Sequence, residues 1–221
     1  MHPFAKAIVN RSWKPFVQWY LRKPRSYTWR SVTVNVPPGI FHPGFFFSTK
    51  QLLNFLEQQP LQGKTLLEIG SGSGIVSIFA AKKGAVVTCC DISPRAVETT
   101  IANAKANSVS IDAMTSDLFA NVPSKKFELI AVNPPYYRKD PLTTEEHAWY
   151  AGKELDYFSR FFCDAKSFLA PGGNVLMVLS DECDLSQIQR IAEQNDWHWE
   201  IASEQHTFFE RGLVIRLSVE K

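Results

Sequence analysis

The sequence predicts an α/β protein: one seven-stranded, mostly parallel sheet covered by helices on both faces and finished by a C-terminal antiparallel hairpin. Three observations predict it. From Lys64 onward, short apolar runs alternate with amphipathic ones. The apolar runs are nearly continuous, as strands buried on both faces must be. The last two runs follow each other with no helix between them.

The elements follow in order. A helix is expected around residues 4–21, and residues 32–36 alternate like a short strand. PPGIFHPGFFF reads as a loop, after which Ser48 is expected to cap a helix running to about Glu57. Strand 65–69 leads into helix 75–82, and strand 85–91 into a helix that Ser93 caps and Pro94 opens. Strands 110–115 and 127–133 come next, then a long polar and aromatic loop over 134–152. A helix over 154–169 is closed by Pro171-Gly172-Gly173, before strand 174–179 and helix 185–195. The closing hairpin is expected over 197–204 and 212–220. Sheets of this kind bind ligands at the carboxyl ends of their strands, where the strand order reverses.

Length and composition fit one domain with a short appendage: 221 residues, 45% hydrophobic and 21% charged. No apolar run is long enough to span a bilayer, and the start has no secretory h-region, so no membrane partner is expected. Cys89, Cys90, Cys163 and Cys183 form no CxxC pair and have no His at ligand spacing. They read as reduced structural residues, with no metal site, in a cytoplasmic protein. The net charge of +2 is uneven: residues 1–56 carry eight Lys and Arg and no acid, leaving −6 for the rest. Trp13, Phe16, Trp19, Tyr20, Tyr27 and Trp29 stand among those cations. Residues 1–36 are therefore expected to form a basic aromatic arm and 37–221 the main domain. Cations interleaved with aromatics suit RNA or a ribosomal assembly. The alternative is an arm whose rings pack on the domain while its charges stay solvated.

Three motifs carry chemistry. Leu66-Leu67-Glu68-Ile69-Gly70-Ser71-Gly72-Ser73-Gly74 lies on a strand-to-helix turn, where glycines let the backbone approach a ligand closely. Asp91 ends the next strand, followed by Ile92, placed to accept hydrogen bonds from a ribose. Asp117-Leu118-Phe119 follows the third strand of the alternating series: the acid can accept from an adenine amino group, with Phe119 or a neighbour against the ring. Asn133-Pro134-Pro135-Tyr136 follows the fourth. Two prolines stop the ladder and remove two donors, Asn133 adds an acceptor oxygen, and Tyr136 adds an aromatic face. That set suits a planar NH2 group. Two acceptors hold its N–H bonds and turn the delocalised lone pair toward an incoming methyl, so catalysis is mainly positioning and electrostatics.

With these motifs in this order, the chain from about 37 to about 180 resembles the small-methyltransferase-domain family, which includes HemK-like glutamine methyltransferases and nucleic-acid amino methyltransferases. The resemblance implies a Rossmann-like class I methyltransferase fold and S-adenosyl-L-methionine as cofactor. It implies that Glu68, Gly70, Gly72, Gly74, Asp91, Ile92, Asp117, Leu118 and Asn133 hold the cofactor. It implies that Asn133, Pro134 and Tyr136 are catalytic. The expected substrate is macromolecular, a protein glutamine or an adenine or guanine amino group. Where the family carries Asp-Thr or Asp-Ser ahead of the cofactor motif, this chain has Phe47-Ser48-Thr49, with no acid. In the loop 134–152, Trp149 and Tyr150 are candidates for a lid, and His147 reads as a surface residue. Phe45, Phe46 and Phe47 are candidates to wall the cofactor pocket. A non-catalytic RNA-binding or partner subunit on the same fold is the alternative. An NAD-dependent oxidoreductase is disfavoured, since NPPY does nothing for hydride transfer.

Overall fold

The computed structural model describes residues 22–45, 47–207 and 211–219. The helix expected around 4–21, with Phe4, Trp13, Phe16, Trp19 and Tyr20, lies outside them. β1 (Arg25–Trp29) and β2 (Val32–Val36) pair as an antiparallel hairpin. The alternation in β2 buries Val32, Val34 and Val36, and Tyr27 and Trp29 pack against the same cluster. Among the described residues, the aromatic part of the basic segment is thus a packing device, while Arg22 and Lys23 are exposed. The hairpin is clamped by side chains one helical turn apart: Asn103 exchanges two hydrogen bonds with the Asn35 backbone, each at 2.9 Å, and Asn107 exchanges two with the Thr33 backbone at 3.2 and 2.7 Å.

α1 (Phe47–Glu57) comes next, then β3 (Thr65–Ile69), α2 (Ile75–Lys82), β4 (Val86–Asp91), α3 (Pro94–Ala106) and β5 (Asp112–Thr115). β6 (Phe127–Val132), α4 (Asp156–Ala165), β7 (Leu169–Ser180), α5 (Leu185–Gln194), β8 (His198–His206) and β9 (Arg211–Ser218) complete the chain. Ser93 caps α3 as expected, accepting from the Ala96 N–H. Ser48 does not cap α1: it lies one residue inside the helix, buried.

The large sheet has the order β5-β4-β3-β6-β7-β9-β8, parallel except for β9, which is antiparallel to both its neighbours. This is the class I methyltransferase architecture. Both faces are buried. Leu67, Ile130, Val132 and Met177 enter one core with α4 and α5, while Leu66, Ala131, Leu176 and Val178 enter the other with α1, α2 and α3. That two-sided demand is why the strands read as continuous apolar runs.

The boundary that differs most is the start of β7. β7 starts at Leu169, and Pro171-Gly172-Gly173 lies inside it rather than ahead of it. Phe127 pairs with Leu169 but Leu129 with Asn174, so the run is an irregularity in the ladder. Proline needs no donor there, and a Cβ on Gly173 would sit 2.9 Å from the Phe127 carbonyl oxygen.

The chain runs from β3 outward through β4 and β5, then returns to β6 on the other side of β3. The switch point therefore lies between the carboxyl ends of β3 and β6, which carry Gly70 and Asn133.

Candidate active site

A cavity opens at that switch point. It is lined by Glu68, Gly70, Gly72, Asp91, Ile92, Asp117, Leu118, Asn133, Pro134 and Tyr136 together. The glycine turn is held on β4 by the Gly70 and Ser71 N–H groups, which donate to the Cys90 carbonyl at 2.9 and 3.0 Å. Gly70 and Gly72 have positive φ, and a Cβ on either would meet no protein atom within 4 Å. Both glycines line the cavity and have open space where a side chain would stand, so the backbone there is accessible to a ligand. Gly74 is different. It does not line the cavity, and a Cβ there would meet the Thr100 backbone at 3.1 Å, so it serves the packing of α2 on α3.

Asp91 accepts the Gly72 N–H on Oδ2 and the Ser93 N–H on Oδ1, each at 2.9 Å. Burial raises its pKa against the pull of those two donors. Glu68 lies buried beneath the turn, where its Oε2 accepts both the N–H and the hydroxyl of Ser77 in the first turn of α2. Burial pushes its carboxyl up to about 8, with the Asp91 charge adding to the rise. Asp117 is ion-paired to Arg160 of α4 at 2.7 Å. Leu118, at φ 48°, is buried against the cavity. Phe119 turns away from it and stacks on Phe168 at 4.9 Å in the core. The ring beside Asp117 and Leu118 in the cavity wall is instead Tyr157, whose pKa burial raises. No sequence signal singled it out, since it reads as one more apolar position of α4.

Asn133 faces two elements. Its Nδ2 donates to Thr49 Oγ1 of α1 at 3.4 Å, and its Oδ1 accepts the Tyr136 hydroxyl at 3.4 Å. These are long, weak bonds, easily exchanged for a ligand's. The Pro-Pro turn is buried and tied down behind, because the Tyr136 and Tyr137 N–H groups both donate to the Trp149 carbonyl. Trp149 also meets Phe41 ring to ring at 5.4 Å, and both line the cavity. Tyr150 lies under the Lys139 ammonium instead. His147 is exposed at the rim with Glu145. Of the phenylalanine run, Phe47 lines the cavity, Phe45 packs on His42, and Phe46 is outside the described residues.

Gln51 of α1 is also in the wall, fully buried, and neither its Oε1 nor its Nε2 has a hydrogen-bond partner among the described residues. A buried polar group left so costs about 1–3 kcal/mol. The signal was present in the sequence: Phe47, Gln51 and Phe55 form one i, i+4, i+8 row, with an amide between two aromatics.

Among the described residues, no group of three or more His, Cys, Asp and Glu is arranged to hold a metal, and no helix is long and apolar enough to cross a membrane. Burial raises the Cys90 and Cys183 thiols, each to about 12, which makes them poor nucleophiles.

Residues 31–206 match the family model of the methyltransferase small domain. A Methanocaldococcus jannaschii protein that carries the name of a protein N5-glutamine methyltransferase is 39% identical over 158 residues, 67% of this chain and 76% of that one. The ribosomal RNA small subunit methyltransferase C of Chromohalobacter salexigens is 30% identical over 152 residues, 66% of this chain and 41% of the relative. In fold, the chain is similar to the Thermus thermophilus 16S rRNA N2 G1207 methyltransferase, solved with AdoMet and guanosine. The TM-score is 0.65 at 19% identity, over 90% of this chain and 50% of that one.

Proposed function

The chain belongs to the methyltransferase small domain family, and on that premise we propose how it works as an S-adenosylmethionine-dependent N-methyltransferase. Asn133, Pro134 and Tyr136 hold a planar amide or amine nitrogen of a macromolecule, protein or RNA, at the end of β6. One observation carries this reading. Asn133 stands at the strand next to the glycine turn, in one cavity with Asp91, with its amide held between Thr49 and Tyr136.

The residues fit the cofactor. Gly70 and Gly72 leave accessible backbone in the cavity wall, the Asp91 carboxylate lines the same cavity with acceptor capacity beyond its two backbone donors, and Leu118 and Tyr157 offer apolar walls beside Asp117. In this reading Asp91 and Ile92 hold the ribose, Asp117 and Leu118 the base, and the turn from Glu68 to Gly72 the remainder. Bound there, S-adenosylmethionine supplies an electrophilic methyl on a cationic sulfur. The acids that line the cavity favour that positive charge.

The chain's own work is positioning. Asn133 Oδ1 accepts one N–H of the target, and the Pro134 carbonyl accepts the other. The Tyr136 ring keeps the group planar, so its lone pair points across the gap between β6 and β3. The nitrogen would gain the methyl carbon as that carbon's bond to sulfur breaks, with S-adenosylhomocysteine as the leaving group, and then lose a proton to solvent. No strong base is required, because an N-methylated cationic amide is very acidic. Holding a poor nucleophile in line is worth orders of magnitude in rate.

The test is twofold. Calorimetry should show binding of S-adenosylhomocysteine and none of NAD. Tritiated methyl should pass from S-adenosylmethionine to a protein or RNA fraction with wild-type enzyme and not with Asn133→Ala. Binding of NAD alone, or equal labelling by the variant, overturns the reading.

A further inference from the structure

We propose that Gln51 reads the substrate: its buried carboxamide pairs with a neutral carboxamide on a polypeptide side chain, the group whose nitrogen Asn133 presents. This rests on the reading of Asn133 given above and adds the substrate class to it.

Position comes first. α1 packs on β7 and β9. Gln51 therefore stands over the half of the sheet beyond Asn133. β9 is three strands from β3 in the order β3-β6-β7-β9, about 14 Å at ordinary strand spacing. An amide there faces the substrate end of the cavity rather than the glycine turn. Gly212 of β9, paired with Ser180 at the end of β7, makes the room. A Cβ at 212 would collide with Gln51 Oε1 and come within 3.2 Å of Phe47 Cδ1.

Chemistry comes second. Gln51 is fully buried with both polar atoms unpartnered among the described residues. A carboxamide offers one acceptor and donors in one plane, and another carboxamide is its complement. Gln51 Nε2 donates to the substrate oxygen. Both substrate N–H groups are then left for Asn133 Oδ1 and the Pro134 carbonyl, with the nitrogen lone pair perpendicular to the amide plane.

Charge favours a polypeptide over a nucleic acid. The acids lining the cavity are Asp91, Asp117, Glu145 and Glu182, together with Glu68, which burial keeps protonated near neutral pH, and no Lys or Arg lines it among the described residues. A nucleotide would bring its phosphates to that acidic mouth without a counter-charge. A peptide brings none.

The experiment uses the full chain and its Gln51→Leu, Gly212→Ala and Asn133→Ala variants, given tritiated-methyl S-adenosylmethionine with total cellular protein or with protein-free RNA. Wild-type label is expected in protein, released by strong acid as methylamine, the product of cleaving an N-methyl amide. Gln51→Leu should lower that transfer at least about tenfold. Its S-adenosylhomocysteine affinity should stay at the wild-type value, and its melting temperature should be no lower. Gly212→Ala, which displaces the amide with Gln51 still present, should lower transfer likewise. Wild-type transfer by Gln51→Leu, a loss of its S-adenosylhomocysteine affinity, a large fall in its melting temperature, or label in RNA alone overturns the proposal. If Gln51→Leu is active while Asn133→Ala is dead, only this proposal fails. If Asn133→Ala also transfers at the wild-type rate, or wild type labels neither fraction, the underlying reading fails with it.

Discussion

Asn133 and Thr49, 84 residues apart in sequence, meet at 3.4 Å, with the Asn133 Nδ2 donating to the Thr49 hydroxyl. The bond joins α1 to the end of β6 and selects one face of the Asn133 amide, so that Oδ1 is the atom left toward Tyr136 and the cavity. Thr49→Val keeps the shape and removes the acceptor. A net hydrogen bond of about 1 kcal/mol then stops orienting the amide. We expect kcat to fall roughly fivefold to tenfold with KM nearly unchanged. Steady-state kinetics showing an unaltered kcat would remove Thr49 from the positioning of Asn133.

Asn133→Ala removes the orienting acceptor itself. Turnover should drop at least about a hundredfold, as for other losses of a group that aligns the reacting atoms. The S-adenosylhomocysteine dissociation constant should move by less than about threefold. A variant retaining a tenth of wild-type turnover would contradict the assignment of Asn133 to the target nitrogen.

Asp91→Ala should weaken S-adenosylhomocysteine binding at least about tenfold, since a hydrogen bond to a charged acceptor contributes about 1.5–3 kcal/mol. It also leaves the Gly72 and Ser93 N–H groups without their acceptor, so the glycine turn loosens. Asp91→Asn keeps the shape and an acceptor for only one of those two N–H groups while removing the charge, so its affinity by calorimetry should fall between wild type and the alanine variant. Unchanged affinity in the alanine variant would rule out a ribose contact.

Glu68 makes the stability of the ligand-free chain depend on pH. Its folded-state carboxyl is raised to about 8 by burial, from an ordinary value of 4.5. Between those values the folded chain holds a proton that the unfolded chain has released, so stability falls as pH rises through the window. Melting temperatures measured from pH 5 to 8.5 should decline in wild type and decline less in Glu68→Gln. Equal slopes in both proteins would show that Glu68 does not carry the dependence.

Much of the fold and part of the site were legible in the sequence, and the divide has a physical basis. Strand identity was legible because burial on both faces leaves nearly unbroken apolar runs, as in Phe127–Val132. The α3 start was legible because a cap is a local bond, from the Ala96 N–H to Ser93. The placing of Gly70, Gly72, Asp91 and Asn133 at strand ends or in the turns that follow them was legible, because turn chemistry is written in adjacent residues.

What the sequence determined by itself, then, was the series of strands and helices and the order of the cofactor-turn, acid and NPPY motifs along it. Tertiary structure alone decided which of them meet. The reversal of strand order between β3 and β6 brings Gly70 beside Asn133. Packing turned Phe119 into the core and set Tyr157 in the cavity wall, and it placed Gly74 against Thr100 instead of in the cavity. It also put Gln51 opposite Gly212, two residues whose sequence neighbours say nothing of each other. Hydrophobic periodicity fixes which face of an element is buried. It carries no information on which distant element covers that face, because the same apolar stripe satisfies any partner of the right shape.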